Sequence, residues 1–356
     1  MNIGVIGIGK ISSVYLTTLA RLDGVHVVAL ADLDPARARA ALAEAPGAHA
    51  LTVEELLGSD DVDLVLNLTI PAAHADVATA ALSAGKHVYG EKPLALDVAS
   101  AQAFLASANG LRVGCAPDTV LGTGLQTARK AIDDGLIGTP AAANAVFVCP
   151  GHESWHPDPE FLYRPGGGPL FDMGPYYLSA LIHLLGPVQR VIGATSRSRP
   201  QRVIGSGPRA GTQFDVEVDT HVAGVLVHDS GALSTIVTSF DVVASTAPRI
   251  EVHGSEASIS VPDPNHFDGD VLIRRLGSAD WDTVPVSAGF VGAARGIGVF
   301  DLAESQLAGR PHRASAELAL HVLDVSETLL RAARERTSLD VASTCDRPAP
   351  VPLTSL

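Results

Sequence analysis

The chain has 356 residues, more than one average domain, and 46% of them are hydrophobic, so two domains with large cores are expected. Its formal net charge of −14 at pH 7 argues against a nucleic-acid partner, and no apolar run is long enough to span a membrane. Three scattered cysteines (Cys115, Cys149 and Cys345) and a first strand with no basic leader favour a reduced, cytoplasmic protein without a cysteine metal site.

The N-terminal segment has the pattern of a dinucleotide-binding turn. Residues 2–9 form a short apolar run that ends in glycines, which gives the spacing Gly7-x-Gly9-x-x-Ser12 before a helix-like segment. Gly7 permits the tight turn, Gly9 lets the backbone approach a pyrophosphate, and the small Ser12 still allows close packing of the helix on the strand. The helix N-terminus offers unpaired N–H groups to the anion. The predicted cofactor contacts in this turn are Gly7, Gly9, Lys10 and Ile11.

The second predicted strand ends in an acidic residue. Residues 25–31 have the pattern of a buried strand and run directly into Asp32. An acid at this position accepts the ribose hydroxyls of an adenosine, which favours NAD over NADP. Asp34 and Pro35 have the pattern of a helix cap followed by proline, which places Arg37 on the next helix. Because Arg37 could still reach a 2′-phosphate, NADP stays open as a cofactor.

Strands and helices alternate through the first third of the chain. Further strands are predicted at residues 49–52, 64–69, 86–89 and 111–115. This alternation predicts a parallel, doubly wound α/β sheet, and ligands of such sheets lie beyond the carboxyl ends of the strands. Candidate ligand contacts cluster at these predicted ends: Gly7, Gly9, Asp32, Thr69, Pro71, His74, Lys92 and Pro117.

One lysine stands at a predicted strand-to-helix corner. The chain has only four lysines, one of which, Lys92, lies in the sequence Glu91-Lys92-Pro93 directly after a strand-like run. Proline favours extended conformations for the residue before it, so Lys92 is expected to be held at the strand end. Lysine can lose its proton when it is desolvated, whereas arginine stays charged. Lys92 is therefore predicted to take part in proton chemistry.

The order and spacing of these pieces resemble the glucose–fructose oxidoreductase/inositol dehydrogenase/MocA family. The pieces are the glycine turn, Asp32, the runs Asn-Leu-Thr-Ile-Pro-Ala-Ala-His (67–74) and Ala-Gly-Lys-His-Val (84–88), and Glu-Lys-Pro. The resemblance covers essentially the whole chain. It implies an NAD(P)-binding Rossmann domain (1–120) and an α/β domain with a large, mostly antiparallel open sheet (121–356). The predicted cofactor contacts beyond the glycine turn are Asp32, Thr69, Pro71, His74, Glu91 and Lys92.

The second half of the chain has a strand pattern of its own. Hairpin-like turns between alternating strands indicate an antiparallel sheet. The resemblance implies that one face of this sheet pairs subunits into a homodimer or homotetramer. A helix is predicted near residues 175–185 and a closing helix at 314–335. The predicted strands are residues 188–196, 215–228, 232–240, 249–253, 257–261 and 270–276.

A second motif follows a glycine run and departs from the family pattern. The family has Asp-x-Gly-x-His at the start of a helix, and this chain matches it at Asp172 and Gly174 but has Tyr176 in the histidine position. The resemblance implies that this histidine shares acid–base work with the lysine. A tyrosine, with an ordinary pKa of about 10, is a poorer base near neutrality. Lys92 is thus the preferred proton acceptor, with Asp172 orienting it or the substrate, while Tyr176 either joins the catalytic set or packs against the sheet.

The segment before this motif is rich in aromatic and polar residues, a combination that suits a carbohydrate. His152 and His156 also have the i, i+4 spacing of a helical zinc motif, but the surrounding glycine and prolines predict a loop. Sugar binding is therefore favoured, with a metal as the alternative. The predicted substrate contacts are His152, Glu153, Trp155, His156, Tyr163, Asp172 and Tyr176.

Together these features predict hydride transfer between a secondary alcohol of a sugar, cyclic polyol or glycoside and the nicotinamide, with Lys92 as general acid/base. Two rivals remain. One is an NAD-dependent, redox-cycling glycoside hydrolase or lyase without net cofactor turnover, which the His/Glu segment and the absent motif histidine keep open. The other is a non-catalytic NAD-binding sensor, which would not need Lys92. The predicted partner is a small-molecule substrate.

Overall fold

The computed structural model describes all 356 residues, which form nine α-helices and 19 strands. The helices are α1 Ser12–Leu19, α2 Pro35–Ala41, α3 Val53–Gly58, α4 His74–Ser83, α5 Val98–Leu105, α6 Thr123–Asp133, α7 Pro169–Leu185, α8 Ile297–Leu307 and α9 Ala316–Glu335. None of them is both long and apolar enough to cross a bilayer.

The strands are numbered in chain order. The first nine are β1 Asn2–Ile6, β2 His26–Ala31, β3 His49–Ala50, β4 Leu64–Asn67, β5 His87–Gly90, β6 Val113–Cys115, β7 Pro140–Val148, β8 Val188–Ser196 and β9 Gln201–Val203. The next five are β10 Gln213–Asp215, β11 His221–His228, β12 Leu233–Ser239, β13 Ile250–Gly254 and β14 Ala257–Val261. The last five are β15 Val271–Arg275, β16 Asp282–Val284, β17 Phe290–Val291, β18 Leu339–Asp340 and β19 Thr354–Ser355.

The chain divides into two compact units. The first contains residues 1–123, 288–320 and 348–356, and the second contains residues 124–287 and 321–347. The first division lies close to the predicted boundary at residue 120. The predicted continuous second domain differs from this division, because two later segments belong to the first unit.

The first unit contains a six-stranded parallel sheet in the order β3-β2-β1-β4-β5-β6. Strands β2 and β4 flank β1, so the chain changes direction across the sheet at this point. Ligands of doubly wound sheets bind at such a switch point, outside the carboxyl ends of the strands. The predicted α/β doubly wound fold is confirmed.

Capping residues fix where the helices of this unit begin. The Asp34 side chain accepts the Ala36 N–H at 3.0 Å and caps α2, as the sequence predicted. The Asp97 side chain likewise accepts the Ser100 N–H at 2.7 Å, and α5 begins only at residue 98. The predicted strand-to-helix corner at Lys92 is therefore followed by an irregular segment before the helix, because the Asp97 cap sets a later start.

Helix α8 was missed in the sequence, and it explains why residues 288–320 belong to the first unit. The Asp118 carboxylate accepts the backbone N–H groups of Gly296 (2.8 Å) and Gly298 (3.0 Å) at the start of α8. A Cβ atom at position 298 would lie 2.0 Å from the Tyr89 hydroxyl, so only glycine allows this approach of α8 to β5.

The second unit contains a nine-stranded sheet in the order β16-β15-β14-β13-β7-β12-β11-β8-β18. Every neighbouring pair is antiparallel except β7 and β12, which confirms the predicted large, mostly antiparallel sheet. Helix α7 packs on β7, β11 and β12. The predicted strand 215–228 is instead two strands, because β10 pairs with β9 in a separate ribbon while β11 joins the large sheet.

Candidate active site

The glycine turn has the backbone shape that a pyrophosphate needs. Gly7 has a φ of +96°, and a Cβ atom there would lie 2.7 Å from the Leu68 carbonyl carbon, so glycine is required. A Cβ atom at Gly9 would meet no heavy atom within 4 Å, which leaves the loop open on that side. The Ser12 hydroxyl donates to the Gly9 carbonyl oxygen at 2.7 Å and holds the turn against α1.

Asp32, at the end of β2, is bonded to the same turn. Its carboxylate accepts the Ile8 N–H at 2.7 Å through one oxygen and the Asp34 N–H at 2.9 Å through the other. Each carboxylate oxygen has two lone pairs, so both can still accept a ribose hydroxyl. Arg37 lies 3.9 Å from the Asp34 carboxylate and is 61% exposed. The residues present therefore fit NAD at this edge of the sheet.

A buried amide and a buried imidazole tie the loop after β4 to the lysine corner. The Asn67 amide donates to the His74 carbonyl oxygen at 3.1 Å and accepts the Thr69 hydroxyl at 2.6 Å. The His74 ring is 2% exposed, with Nδ1 2.6 Å from the Pro93 carbonyl oxygen and Nε2 3.1 Å from that of Thr69. The ring of His74, a predicted cofactor contact, thus lies between the Thr69 and Pro93 carbonyl oxygens.

Glu91 also makes contacts within the protein. One carboxylate oxygen accepts the Tyr15 hydroxyl of α1 at 2.7 Å, and the other accepts the Lys92 N–H at 3.0 Å. Burial and the Glu91 charge raise the pKa of Tyr15 well above its ordinary value, so Tyr15 stays a neutral donor. Glu91 thus joins the glycine-turn helix to the Lys92 corner, where the Lys92–Pro93 peptide bond is cis.

The other predicted cofactor contacts are exposed or half-buried. Lys10 is exposed. The half-buried ones are Ile11, Thr69, Pro71 and Lys92. Asn67 and Tyr15, which hold this edge together, were not predicted as site residues. The strand-end position of Asn67 and its place in the family-like run were the signals that could have pointed to it.

Asp118 is a further acidic group that the sequence did not reveal. It is 0% exposed, and although Oδ2 accepts two N–H groups, Oδ1 has no hydrogen-bond partner. Burial raises the pKa of Asp118 to about 6, against the lowering effect of the Gly298 and Gly296 N–H groups. Asp118 is therefore a buried carboxyl group that titrates near neutrality.

In the second unit, the structure joins two of the predicted residues directly. His152 Nε2 lies 3.1 Å from a carboxylate oxygen of Asp172. The side chains of His152 and Asp172 are 15% and 19% exposed. Asp172 lies in the first turn of α7, and His152 begins a 3₁₀ turn, His152–Ser154, in the segment before it. The prediction of a loop at His152 and His156, in place of a long helix, is confirmed.

A buried arginine anchors the segment that carries His152. The Arg202 guanidinium, with a side chain 0% exposed, pairs with Glu153 at 2.5 Å and with Asp241. It also donates to the carbonyl oxygens of Pro150 (3.0 Å) and Phe240 (2.9 Å). Burial raises the pKa of Asp241, but hydrogen bonds from Thr220 and Ser198 and the Arg202 charge outweigh it, and the pKa lies below its ordinary value.

Glu153 and Tyr163, which were both predicted as substrate contacts, are buried and bonded to each other. Glu153 is 8% exposed and Tyr163 is 0% exposed. The Tyr163 hydroxyl donates to the Glu153 carboxylate, and burial together with this bond raises the Tyr163 pKa, so it stays protonated. Both side chains support the segment from within. Tyr176, on α7, is also only 4% exposed, which agrees with the packing alternative.

Four rings form a row along residues 151–163, a segment we call the ring loop. Successive ring centroids are separated by 5.2 Å (His152 to Trp155), 5.5 Å (Trp155 to His156) and 5.5 Å (His156 to Phe161). Trp155 and Phe161 are 55% and 54% exposed. No group of three or more His, Cys, Asp or Glu side chains is arranged to hold a metal ion.

The predicted site residues thus form two groups, one in each unit. Two family models match the chain: residues 1–117 match an oxidoreductase family with an NAD-binding Rossmann fold, and residues 125–260 match the GFO/IDH/MocA C-terminal domain. The protein belongs to the GFO/IDH/MocA family. It is an enzyme of the NAD(P)-dependent dehydrogenase and reductase kind, with NAD as its cofactor.

Individual proteins that are similar to this chain support the family assignment. This oxidoreductase is 30% identical over 268 residues to a 1,5-anhydro-D-fructose reductase of Ensifer adhaerens, covering 72% of this chain and 74% of the relative. It is 29% identical over 269 residues to a myo-inositol 2-dehydrogenase of Thermotoga maritima, covering 73% and 74%. A solved NAD binding oxidoreductase from Klebsiella pneumoniae is similar with a TM-score of 0.83 at 25% identity, covering 96% of this chain and 99% of that chain.

Proposed function

We propose that this oxidoreductase transfers a hydride between a secondary alcohol of a sugar, cyclic polyol or glycoside and NAD. The observation that carries the proposal is the corner at Lys92, fixed by Glu91 and Pro93 at the same strand edge as the glycine turn and Asp32. The names of the relatives, an anhydrofructose reductase and a myo-inositol dehydrogenase, support the substrate class.

The first unit would hold the cofactor. The glycine turn and the N-terminus of α1 would bind the pyrophosphate, and Asp32 would accept the ribose hydroxyls. Asp32 favours NAD, while the exposed Arg37 is the residue that would contact a 2′-phosphate of NADP. When bound, the nicotinamide accepts a hydride or donates one. Thr69 and Pro71 would line the nicotinamide end.

Lys92 would serve as the general acid/base. When an alcohol is oxidised, the carbon loses a hydride while the oxygen loses a proton, so a base must stand within hydrogen-bond reach of the hydroxyl. Lys92 is half-buried beside Glu91 and Pro93, which restricts its backbone. A lysine held in this way can take the proton in oxidation and return it in reduction.

The second unit would bind the substrate. The ring loop presents two exposed aromatic rings, Trp155 and Phe161, with the His156 imidazole between them and the His152 imidazole beside Trp155. Aromatic rings pack against the C–H faces of sugars, while polar groups bond the hydroxyls. Asp172 would accept a substrate hydroxyl. We further propose that the nine-stranded sheet joins subunits into a homodimer or homotetramer, and that the protein works in the cytoplasm, since its three cysteines are free.

The test is the absorbance of reduced nicotinamide when purified protein and NAD or NADP are mixed with cyclic polyols, aldoses and glycosides. Growth of the band with one substrate class and with NAD supports the proposal. Conversion of the sugar without growth of the band favours the redox-cycling alternative. Bound NAD with no change in any sugar contradicts an oxidoreductase acting on this class and favours a sensor.

A further inference from the structure

A buried tyrosine links the helix of the glycine turn to the corner at Lys92. Tyr15 lies in the first turn of α1 and is 0% exposed, and its hydroxyl donates to one carboxylate oxygen of Glu91 at 2.7 Å. The other oxygen of the same carboxylate accepts the Lys92 N–H at 3.0 Å. Two hydrogen bonds through one carboxylate therefore connect α1 to the residue that we propose as general acid/base.

The tyrosine end of this link is held firmly. The Ser12 hydroxyl donates to the Gly9 carbonyl oxygen at 2.7 Å, which fixes the start of α1 to the glycine turn. The start of α8 packs on the tyrosine ring, since a Cβ atom at Gly296 would lie 3.4 Å from Cδ1 of Tyr15. Burial and then the Glu91 charge raise the pKa of Tyr15 well above its ordinary value. The hydroxyl is therefore a donor at every pH near neutrality.

The lysine end of the link acts on the main chain. An ionised carboxylate only accepts hydrogen bonds, and bonds to a charged acceptor are stronger than neutral ones. Because the bond from Glu91 is to the backbone N–H of Lys92, it fixes the position from which the lysine side chain extends. A general base must stand within hydrogen-bond reach of its proton, and a misplacement of about 1 Å can cost about 10²-fold in rate. A change in the order of α1 would therefore affect the reaction.

We propose that Tyr15 is a positioning residue that couples cofactor binding to the placement of Lys92. This inference rests on the proposed function. The N-terminus of α1 binds the pyrophosphate and becomes more ordered. The ordered helix holds the Glu91 carboxylate through the tyrosine hydroxyl, and the carboxylate holds the main chain at Lys92. The lysine is then best placed for proton transfer when the cofactor is bound, and the coupling is a free-energy link between two sites of the same unit.

The first test compares Tyr15→Phe with Tyr89→Phe. Each substitution removes one hydroxyl from a tyrosine that is 0% exposed, but the Tyr89 hydroxyl has no hydrogen-bond partner, so Tyr89→Phe is the matched control. We expect kcat to fall by about 10- to 100-fold in Tyr15→Phe, with KM for the alcohol and NAD affinity unchanged, and to stay at the wild-type value in Tyr89→Phe. A Tyr15→Phe variant with wild-type kcat contradicts the inference.

A double variant separates positioning from packing. Because the tyrosine acts through the carboxylate, Tyr15→Phe combined with Glu91→Ala should be no slower at saturating NAD than Glu91→Ala alone. A double variant whose loss of kcat is the product of the two single losses would show that the tyrosine acts independently of Glu91, and it would overturn the proposed link.

Amide hydrogen exchange at Lys92 tests the coupling without activity. The probe is ADP-ribose, which has the pyrophosphate of NAD but no nicotinamide. Saturating ADP-ribose should slow this exchange by about 5-fold or more in the wild type and in Tyr89→Phe, and much less in Tyr15→Phe. Equal slowing in all three proteins contradicts the coupling. A wild type that reduces no nicotinamide with any alcohol overturns the proposed function, whereas the exchange comparison still decides whether Tyr15 couples the two sites.

Discussion

Different kinds of contact stabilise two regions of the molecule. One is the edge of the parallel sheet that carries the glycine turn, Asp32 and Lys92, which we call the cofactor edge, and the other is the ring loop of the second unit. At the cofactor edge, many of the hydrogen bonds have a backbone group as one partner, as in the bond from the Ile8 N–H to Asp32 and the contact of the His74 ring with the Pro93 carbonyl oxygen. In the ring loop, one buried arginine joins Glu153 to Asp241, which are far apart in the chain. The cofactor edge depends on local backbone shape, whereas the ring loop depends on buried charge.

The two regions should therefore tolerate different substitutions. A turn built from glycine conformations and main-chain bonds fails when a side chain is added. A region built on a buried ion pair fails when one partner is removed, because the other charge stays buried without compensation. The four predictions below test this comparison, beginning with the largest expected effect.

Lys92→Met should reduce kcat by about 10²- to 10⁴-fold, which is the range that general acid–base groups contribute. NAD affinity should change little, because the glycine turn and Asp32 remain intact. Steady-state rates and NAD titration measure the two effects. The matched control is Lys130→Met. It removes an exposed lysine of α6 that pairs with Asp134. Wild-type turnover in Lys92→Met would remove the proposed role of this lysine.

Arg202→Met should destabilise the protein by about 3–5 kcal/mol, since it leaves two carboxylates buried without their cation. Arg190→Met breaks the exposed pair with Asp340 and should cost about 0–1 kcal/mol. Urea unfolding of both variants measures the difference. Equal losses would show that the buried pair is no more important than the surface pair, and the comparison between the two regions would be wrong.

Asp118 should make stability fall as the pH rises from about 4 to about 6. Its pKa is about 6 in the folded protein and near 4 when unfolded, so the folded state binds more protons in this window. The loss is about 3 kcal/mol and is complete above the folded pKa. Asp118→Asn should flatten this slope in unfolding experiments, while the exposed Asp60→Asn should not. An unchanged slope in Asp118→Asn would assign the pH dependence to other groups.

Asp32→Ala should weaken NAD binding by about 10- to 100-fold, because it removes an acceptor for the ribose and a bond to the glycine turn. Asp34→Ala removes the cap of α2 and the exposed pair with Arg37 but leaves the Asp32 carboxylate in place, so it should affect NAD much less. Calorimetric titration of NAD measures both affinities. If the two variants bind NAD equally well, Asp32 is not the ribose acceptor.

The sequence predicted the cofactor edge better than the ring loop for a physical reason. The glycine turn, Asp32 and the corner at Lys92 are visible because a local conformation demands particular residue types. The pairing of Arg202 with Glu153 and of His152 with Asp172 depends on tertiary packing of distant segments, and residue type alone does not reveal it. The same holds for Asp118, whose partner is the N-terminus of α8, itself missed in a glycine-rich stretch.

The parallel character of the first sheet and the mostly antiparallel character of the larger sheet followed from alternation and turn patterns. Two errors in the predicted strands and helices concern where an element begins and which strand it pairs with. The cap at Asp97 delayed α5, and pairing with β9 separated β10 from β11. Local signals define elements well, but partners elsewhere in the chain decide where an element stops.

The most direct test of the proposed reaction is the transfer of deuterium from a polyol that is labelled at its carbinol carbons. The labelled polyol is the substrate found in the absorbance panel, and the recovered cofactor is analysed by mass spectrometry. We predict that the reduced cofactor carries one deuterium per molecule. Oxidised product together with unlabelled cofactor would contradict hydride transfer between the alcohol and the nicotinamide.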